Sequence, residues 1–127
     1  MNLTESFAVL KPNHGVEPID VSPAIYQQLD ERYDGFRGHV LVSLHAFDTP
    51  WGSWERHPHG DEIVVLLAGA AEITLRRDAG DDVVALSAPE DYVVVPRNTW
   101  HTASRVQPGT RMLFITPGEG TEHADIP

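Results

Sequence analysis

The chain has 127 residues, which fits one domain of ordinary size, and its nineteen acidic and nine basic residues give a net charge of −10. This charge argues against nucleic acid and against an anionic membrane as partners, and the absence of cysteine excludes disulfides and thiolate ligands. No apolar run approaches the ~20 residues that span a bilayer, and the N-terminus does not resemble a signal peptide, so we expect a cytoplasmic protein.

The first 35 residues predict an extended arm and then one short helix. Proline and glycine interrupt residues 1–21, where only residues 7–10 favour a short strand. In residues 22–35, Ser22 can cap a helix and Gly35 can end it, with a proline suited to the first helical position. The apolar stripe that would pack this helix against a sheet consists of Ile25, Leu29 and Tyr33.

Later residues predict short strands separated by turns. The predicted strands are 39–47, 62–68, 70–77, 82–88, 91–95, 100–106 and 111–116. Residues 62–68 are apolar at almost every position, so both faces of that strand are expected to be covered. Many short, evenly spaced strands indicate an all-β sandwich or barrel over residues 36–117, followed by a loosely held polar tail at 118–127.

Imidazole, carboxylate and aromatic side chains crowd into residues 51–69 more densely than anywhere else in the chain. His57, His59 and Glu62 lie in this stretch, and His101 follows in a second cluster. Imidazoles and carboxylates are the ligands that hold divalent iron, manganese, nickel or zinc. We interpret the two stretches as adjacent strands that line one cavity.

The spacing within the stretch supports convergence on that cavity. Residues two apart on a strand face the same side, so Glu55, His57 and His59 share a face if the segment is extended. A bend at the proline and glycine that follow can return Glu62 to the side of His57. Two imidazoles and one carboxylate can form a facial triad with open positions for a ligand.

These residues resemble the motifs of the cupin superfamily, which consists of small jelly-roll β-barrels. The first motif of that family reads G(X)5HXH(X)3,4E(X)6G and the second reads G(X)5PXG(X)2H(X)3N. The matching positions in this chain are His57, Glu62, Gly69, Pro96 and His101. The resemblance covers residues 40–116 and implies a jelly-roll fold that holds a divalent metal cation, namely Fe, Mn, Zn or Ni.

The chain departs from both motifs. Glu55 stands where the first histidine belongs, and the other replacements are Thr49, Glu90, Asn98 and Arg105. Asparagine tolerates a left-handed backbone, so Asn98 can replace a glycine in a turn. Glu55 either adds a second carboxylate to the site or pairs elsewhere, for example with a nearby arginine, in which case His59 can compensate. A hydrogen-bonded polar cluster without metal is the remaining alternative.

Several side chains near the motifs are candidates for the wall of a ligand pocket. The aromatic candidates are Trp51, Trp54, Tyr92, Trp100 and Phe114. Arg97 is a candidate to meet a carboxylate on the ligand. Ordinary core packing for the rings, and a solvated surface position for the arginine, are the alternatives.

The resemblance implies that a small oxygen-bearing organic molecule binds at the metal, as in dioxygenases, isomerases and decarboxylases of the superfamily. A metal- or ligand-sensing domain without turnover and a metal-free barrel are alternatives, so whether the chain is an enzyme stays open. Related cupins are commonly dimers. Because the apolar strand at 62–68 and the N-terminal arm both need cover, we expect a homodimer.

Overall fold

The computed structural model describes residues 1–126, and Pro127, the last residue of the predicted tail, lies outside this range. The described chain folds into strands around one helix, α1 (Ile25–Arg32). The strands are β1 (Ser6–Leu10), β2 (Val16–Asp20), β3 (Val40–Phe47), β4 (Ser53–Arg56), β5 (Glu62–Ala68), β6 (Ala71–Arg77), β7 (Gly80–Leu86), β8 (Tyr92–Val95), β9 (His101–Val106), β10 (Thr110–Thr116) and β11 (Glu122–Asp125).

The strands form two antiparallel sheets that enclose the core. The six-stranded sheet has the order β2-β1-β3-β10-β5-β8, and the five-stranded sheet has the order β11-β4-β9-β6-β7. Alternate side chains of β5 and β6, such as Val64, Leu66, Ile73 and Leu75, are buried in a common cluster. The predicted all-β jelly roll with one short helix is confirmed.

The N-terminal segment is part of a sheet and not a separate arm. β1 pairs with β2 as a hairpin, and β1 also pairs with β3. The apolar side chains of this hairpin, including Phe7, Val9 and Ile19, are buried against the helix. The prediction of an arm missed this pairing because two prolines and a glycine suggested irregular backbone.

The helix packs as its stripe predicts, since Ile25, Leu29 and Tyr33 are buried. Gly35 ends the helical segment with a φ of 66°, and its N–H donates to the carbonyl of Asp30. The prediction for Ser22 was wrong, because Ala24 occupies the N-cap position and makes no side-chain cap hydrogen bond. In residues 1–126 no helix is long and apolar enough to cross a membrane.

The predicted tail is also a strand. β11 pairs with β4 over four residues, so residues 122–125 form an edge of the five-stranded sheet. A loosely held tail was therefore the wrong expectation. The error has a physical reason, because the pairing is made by backbone groups while the side chains of Glu122–Asp125 are mostly exposed and polar.

Two motif replacements occupy positions that require a left-handed backbone. Asn98 has a φ of 60° and Glu90 a φ of 80°. The predicted use of Asn98 in a turn is confirmed, and its N–H donates to the carbonyl of His57 at 2.9 Å. This bond ties the loop before β9 to the segment that follows β4.

One face of the six-stranded sheet remains open in the single chain. Cross-strand pairing aligns apolar residues on the outer side, away from the core. The exposed large apolar residues of this outer face are Leu67 of β5 and Tyr92 and Val94 of the edge strand β8. The expectation that both faces of β5 are covered therefore holds only for the inner face within one chain.

Candidate metal centre

The topology brings four acidic and imidazole side chains to one end of the barrel. Glu55 in β4 is directly paired with His101, the first residue of β9. His57 follows β4 at once, and Glu62 is the first residue of β5. Each of these side chains lies at a strand end or in a short connection, so the backbone of the two sheets fixes where it points.

The four side chains converge on a single point. One ligand atom from each of Glu55, His57, Glu62 and His101 lies within 4.8 Å of the others. The Nε2 atom of His57 is 3.0 Å from Glu55 Oε1 and 3.2 Å from Glu62 Oε2. The Nε2 atom of His101 is 3.2 Å from Glu62 Oε1. Neighbouring ligand atoms around one divalent cation lie at about this separation, roughly 3 Å.

Three of the converging atoms are buried without a hydrogen-bond partner in residues 1–126. These are His57 Nε2, His101 Nε2 and Glu62 Oε1. The short distances between imidazoles and carboxylates are therefore close contacts without hydrogen-bond geometry. Such orphaned polar atoms are costly in a protein interior and call for a ligand that satisfies them together.

The Nδ1 atom of each imidazole lies within hydrogen-bond distance of an oxygen outside the group of four, to which it donates. His101 Nδ1 lies 3.0 Å from the carbonyl oxygen of Thr99, which can only accept. His57 Nδ1 lies 2.8 Å from Thr121 Oγ1, and that hydroxyl donates its own proton to the carbonyl of Gly118. In its neutral form, each ring therefore carries its proton on Nδ1 and turns an Nε2 lone pair toward Glu62, as metal ligands do.

Glu62 is the buried anion at the centre of the group, with 2% of its side chain exposed. Thr116 donates a hydrogen bond to Oε2 at 2.6 Å, which leaves Oε1 free to face His101. Burial raises the pKa of this carboxyl, but the two imidazoles outweigh burial and hold the pKa well below its usual range. Glu62 is therefore an anion at neutral pH.

Glu55 joins the group from its more open side. Its side chain is 25% exposed, and Oε2 lies 3.2 Å from Nε2 of His123 while Oε1 faces His57. The alternative in which Glu55 pairs with an arginine does not describe the structure. A group of two imidazoles and two carboxylates can hold a divalent cation such as Mn²⁺, Fe²⁺, Ni²⁺ or Zn²⁺.

A cavity of about 720 Å³ opens in front of Glu55, His57 and Glu62, which line it. Its walls come from β3, β10, α1 and the segment before β11, and they include Phe47, Trp51 and Phe114. Cavities that bind small molecules commonly have this size and this mixture of apolar walls with a few polar groups.

Comparisons with known proteins agree on the fold. No family model matches the sequence, and no curated protein matches it. An oxalate oxidase structure matches with a TM-score of 0.54 and 18% identity over 65% of this chain and 44% of that one. A mutant of oxalate decarboxylase from Bacillus subtilis matches with a TM-score of 0.53 and 16% identity over 68% of this chain and 24% of that one.

The oxalate oxidase and oxalate decarboxylase structures both have the cupin fold. This chain has the cupin fold too. It spans less than half the length of either protein, and at this identity the likeness concerns the fold alone. A cupin superfamily protein from Desulfitobacterium hafniense is 32% identical over 61% of this chain and 65% of its own length, with a TM-score of 0.49.

Several residues that the sequence placed at the site lie elsewhere in the cupin barrel. His59 is 55% exposed and lies 3.6 Å from Glu119, outside the group of four. Of the six predicted pocket residues, Trp51 and Phe114 line the cavity. The four that do not line it are Trp54, Tyr92, Arg97 and Trp100.

Local contacts explain the positions of these four. Arg76 packs over Trp54 and Arg56 packs over Trp100, so an arginine guanidinium covers each of these rings. Tyr92 is 63% exposed on the outer face of β8. The backbone N–H of Arg97 donates to the Asp61 carboxylate in an exposed turn.

Residues that the sequence analysis did not predict as site residues also lie beside the four side chains or in the cavity wall. Thr121 and His123 come from the supposed tail, which β11 brings beside the centre. Tyr26 and His45 meet at the cavity wall, with the tyrosine hydroxyl 2.9 Å from His45 Nε2. Ser43 and His45 lie on one face of β3, and both line the cavity.

We expect His57 to make the stability of the metal-free protein depend on pH. Burial lowers the pKa of its imidazole, but Glu55 and Glu62 raise it from 6.5 to about 9. A group with a higher pKa in the folded state stabilises the fold below its unfolded pKa, and this contribution is lost as the pH rises through the folded value. The free energy of unfolding should therefore fall between pH 6.5 and 9, by at most about 3 kcal/mol.

Urea denaturation of chelator-treated protein across this pH range measures the effect. His57→Gln should flatten the decline, whereas His59→Gln, which removes an exposed histidine outside the group, should keep it. A free energy of unfolding that rises over the same interval in the wild type would contradict the assignment.

Proposed function

We propose that this cupin barrel binds one divalent metal cation through Glu55, His57, Glu62 and His101. The cation would present an open side to the cavity, where a small oxygen-bearing organic molecule binds. The observation that carries the proposal is the set of buried orphaned atoms, because two Nε2 lone pairs and a carboxylate oxygen face one point without hydrogen bonds.

The residues around the centre have separate parts in this function. Thr121 and the carbonyl of Thr99 hold the two imidazoles in the tautomer that leaves Nε2 free. Thr116 fixes the rotation of the Glu62 carboxylate. When bound, the cation supplies a Lewis acid that polarises an oxygen of the ligand, and a redox-active ion also allows reaction with dioxygen.

The walls of the cavity keep bulk water away from this centre. Trp51 packs on Phe47 and Phe114, with ring centroids 5.7 and 6.0 Å apart. Apolar surroundings strengthen the electrostatic attraction between a cation and the oxygen of a ligand. The proposed chemistry therefore takes place in a partly dry chamber that remains open at the rim formed by α1 and β11.

Removal of either buried ligand should abolish stoichiometric metal binding. We expect about one equivalent of metal in the wild type after supplementation, and an affinity at least roughly 100-fold weaker in Glu62→Gln and His101→Asn. Elemental analysis after gel filtration measures this, and circular dichroism shows whether each variant folds. His59→Asn is the matched control, because it makes the same change at an exposed histidine outside the group.

Metal retained at full occupancy in both ligand variants would show that the ion binds elsewhere. A wild-type protein that takes up no metal after supplementation would instead support the metal-free barrel. Oxygen uptake or product formation by the loaded wild type separates an enzyme from a binding domain.

The hydroxyl of Thr121 should matter for metal affinity although it does not contact the metal point. Thr121→Val removes the acceptor for His57 Nδ1 while keeping the shape of the side chain, so the affinity should fall about 10- to 100-fold. Thr99→Val is the matched control, because His101 uses only the backbone carbonyl of Thr99. Metal titration followed by calorimetry compares the two, and equal affinities would contradict the role of Thr121.

We also propose that the barrel is a homodimer formed through the open face of the six-stranded sheet. This face carries a continuous apolar surface built from paired residues of neighbouring strands. Its members are Val42, Leu44, Ile63, Val65, Leu67, Tyr92, Val94, Leu113 and Ile115. A symmetric dimer would bury this patch against its own copy, which needs no complementary charge on a strongly acidic protein.

A charged residue in this face should dissociate the dimer. Val94→Asp places a carboxylate at the exposed β8 edge of the patch, and Val83→Asp makes the same change on the edge strand β7 of the other sheet. We expect a dimer for the wild type and Val83→Asp and a monomer for Val94→Asp in light scattering at micromolar concentration. A monomeric wild type would overturn the dimer.

A further inference from the structure

The cavity in front of the proposed metal centre is lined by carboxylates. In the part of the chain that the structure describes, neither lysine nor arginine lines it. The carboxylates that line it are Asp30, Glu55 and Glu62. A ligand with two negative charges would find no guanidinium or ammonium partner here, although such partners are the usual means of binding small carboxylates.

The centre itself has little positive charge to offer. Glu55 stands where the cupin motif has a histidine, so a divalent cation would meet two carboxylates and two neutral imidazoles, with a net charge near zero. A singly charged ligand can still bind to such a centre. A small dianion would leave two uncompensated negative charges in a partly buried cavity that already contains Asp30, which is unfavourable at low dielectric constant.

An aromatic wall runs from the centre to the far side of the cavity. The ring of Trp51 lies 6.2 Å from His101 and 6.0 Å from Phe114, measured between centroids. Phe114 lies 5.6 Å from His45, and His45 lies 6.4 Å from Tyr26. A flat aromatic ligand that lies against such a wall can make stacked or edge-to-face contacts with its rings.

The wall ends in a neutral hydrogen-bonding pair. The Tyr26 hydroxyl and His45 Nε2 are 2.9 Å apart. Burial lowers the pKa of His45, although Glu55 acts in the opposite direction, so the imidazole is uncharged at neutral pH. Partial burial, together with the charges of Glu55 and Glu62, raises the pKa of Tyr26. The residue as a whole is 56% exposed and lies at the rim of the cavity. The pair can exchange hydrogen bonds with a polar group but offers no charge to an anion.

We propose that the natural ligand is a neutral or singly ionised hydroxyl-bearing aromatic molecule of the phenol or catechol class, and not a small dianion such as oxalate. Its oxygen would face the metal, its ring would lie along Trp51 and Phe114, and a polar substituent would reach Tyr26 and His45. This inference rests on the proposed function, because it requires the metal centre.

Catechol and oxalate are suitable probes, since both carry oxygens on two adjacent carbons, while only catechol has a ring and is uncharged in solution at neutral pH. Protein loaded with one equivalent of metal and freed of excess ion would be titrated with each compound by calorimetry. Elemental analysis afterwards shows that the metal stays on the protein. We expect catechol to bind at least about tenfold more tightly than oxalate to the wild type.

Two variants separate the ring from the charge. Trp51→Leu should weaken catechol roughly tenfold and leave oxalate unchanged, while Trp100→Leu, outside the cavity, should change neither. Glu55→Gln, with its metal content verified, should strengthen oxalate binding because it removes one negative charge from the centre. Thermal unfolding shows whether each variant keeps the fold.

The outcomes distinguish this inference from the proposed function. Metal uptake together with oxalate binding as tight as catechol binding, or with no binding of catechol, would overturn the ligand class and leave the metal centre standing. Absence of metal uptake by the wild type would overturn the proposed function and the ligand class with it.

Discussion

The burial of one carboxylate, that of Glu62, places the strongest constraint on this end of the barrel. A buried anion is expensive unless hydrogen bonds and opposite charges surround it. Thr116 satisfies one of its oxygens, but the other faces a histidine without hydrogen-bond geometry. In the metal-free chain, burial lowers the pKa of His57 but Glu55 and Glu62 raise it to about 9, so a proton on His57 compensates part of this negative charge. A divalent cation would displace that proton and compensate the carboxylates itself, since the ligand atoms of all four side chains converge on one point.

The second carboxylate, that of Glu55, changes the net charge of the candidate metal centre. With a histidine at position 55, a divalent ion would keep one net positive charge and attract anions. Glu55 cancels that charge and connects the centre to His123 at the rim. The glutamate that makes the motif imperfect would therefore shape which ligands a metal-loaded cavity accepts. Since no lysine or arginine among residues 1–126 lines the cavity, a bound cation would supply most of the positive charge that a ligand meets there.

The sequence contained most of the fold and the central ligands. Strand periodicity located β3 and β5 to β10 because their side chains alternate or run continuously apolar, and motif spacing brought His57, Glu62 and His101 together. β11 could not be found in this way, since its side chains are polar and its pairing is made by the backbone. Thr121 and His123 were missed with it. No local pattern reports that a tail strand will lie beside a strand 66 positions earlier, where Glu122 pairs with Arg56.

The positions of the aromatic residues were also only partly predictable from the sequence. Trp51, Trp54, Trp100 and Phe114 look equivalent in the sequence, yet Trp51 and Phe114 line the cavity while the other two rings pack under arginines. A one-residue difference along a strand decides the face, and the irregular backbone around β4 and before β9 hides that parity from a periodic pattern.

Likeness of fold and likeness of ligand are separate questions in this protein. The likeness to oxalate oxidase and oxalate decarboxylase concerns the path of the backbone. At 16–18% identity, this likeness does not tell which side chains line the cavity. The cavity of this chain is lined by three carboxylates, a row of rings and a neutral tyrosine–histidine pair. Oxalate has two charges and no ring, so it matches none of these features. The ligand class is therefore better inferred from the residues that line the cavity than from the fold that this chain shares with oxalate oxidase and oxalate decarboxylase.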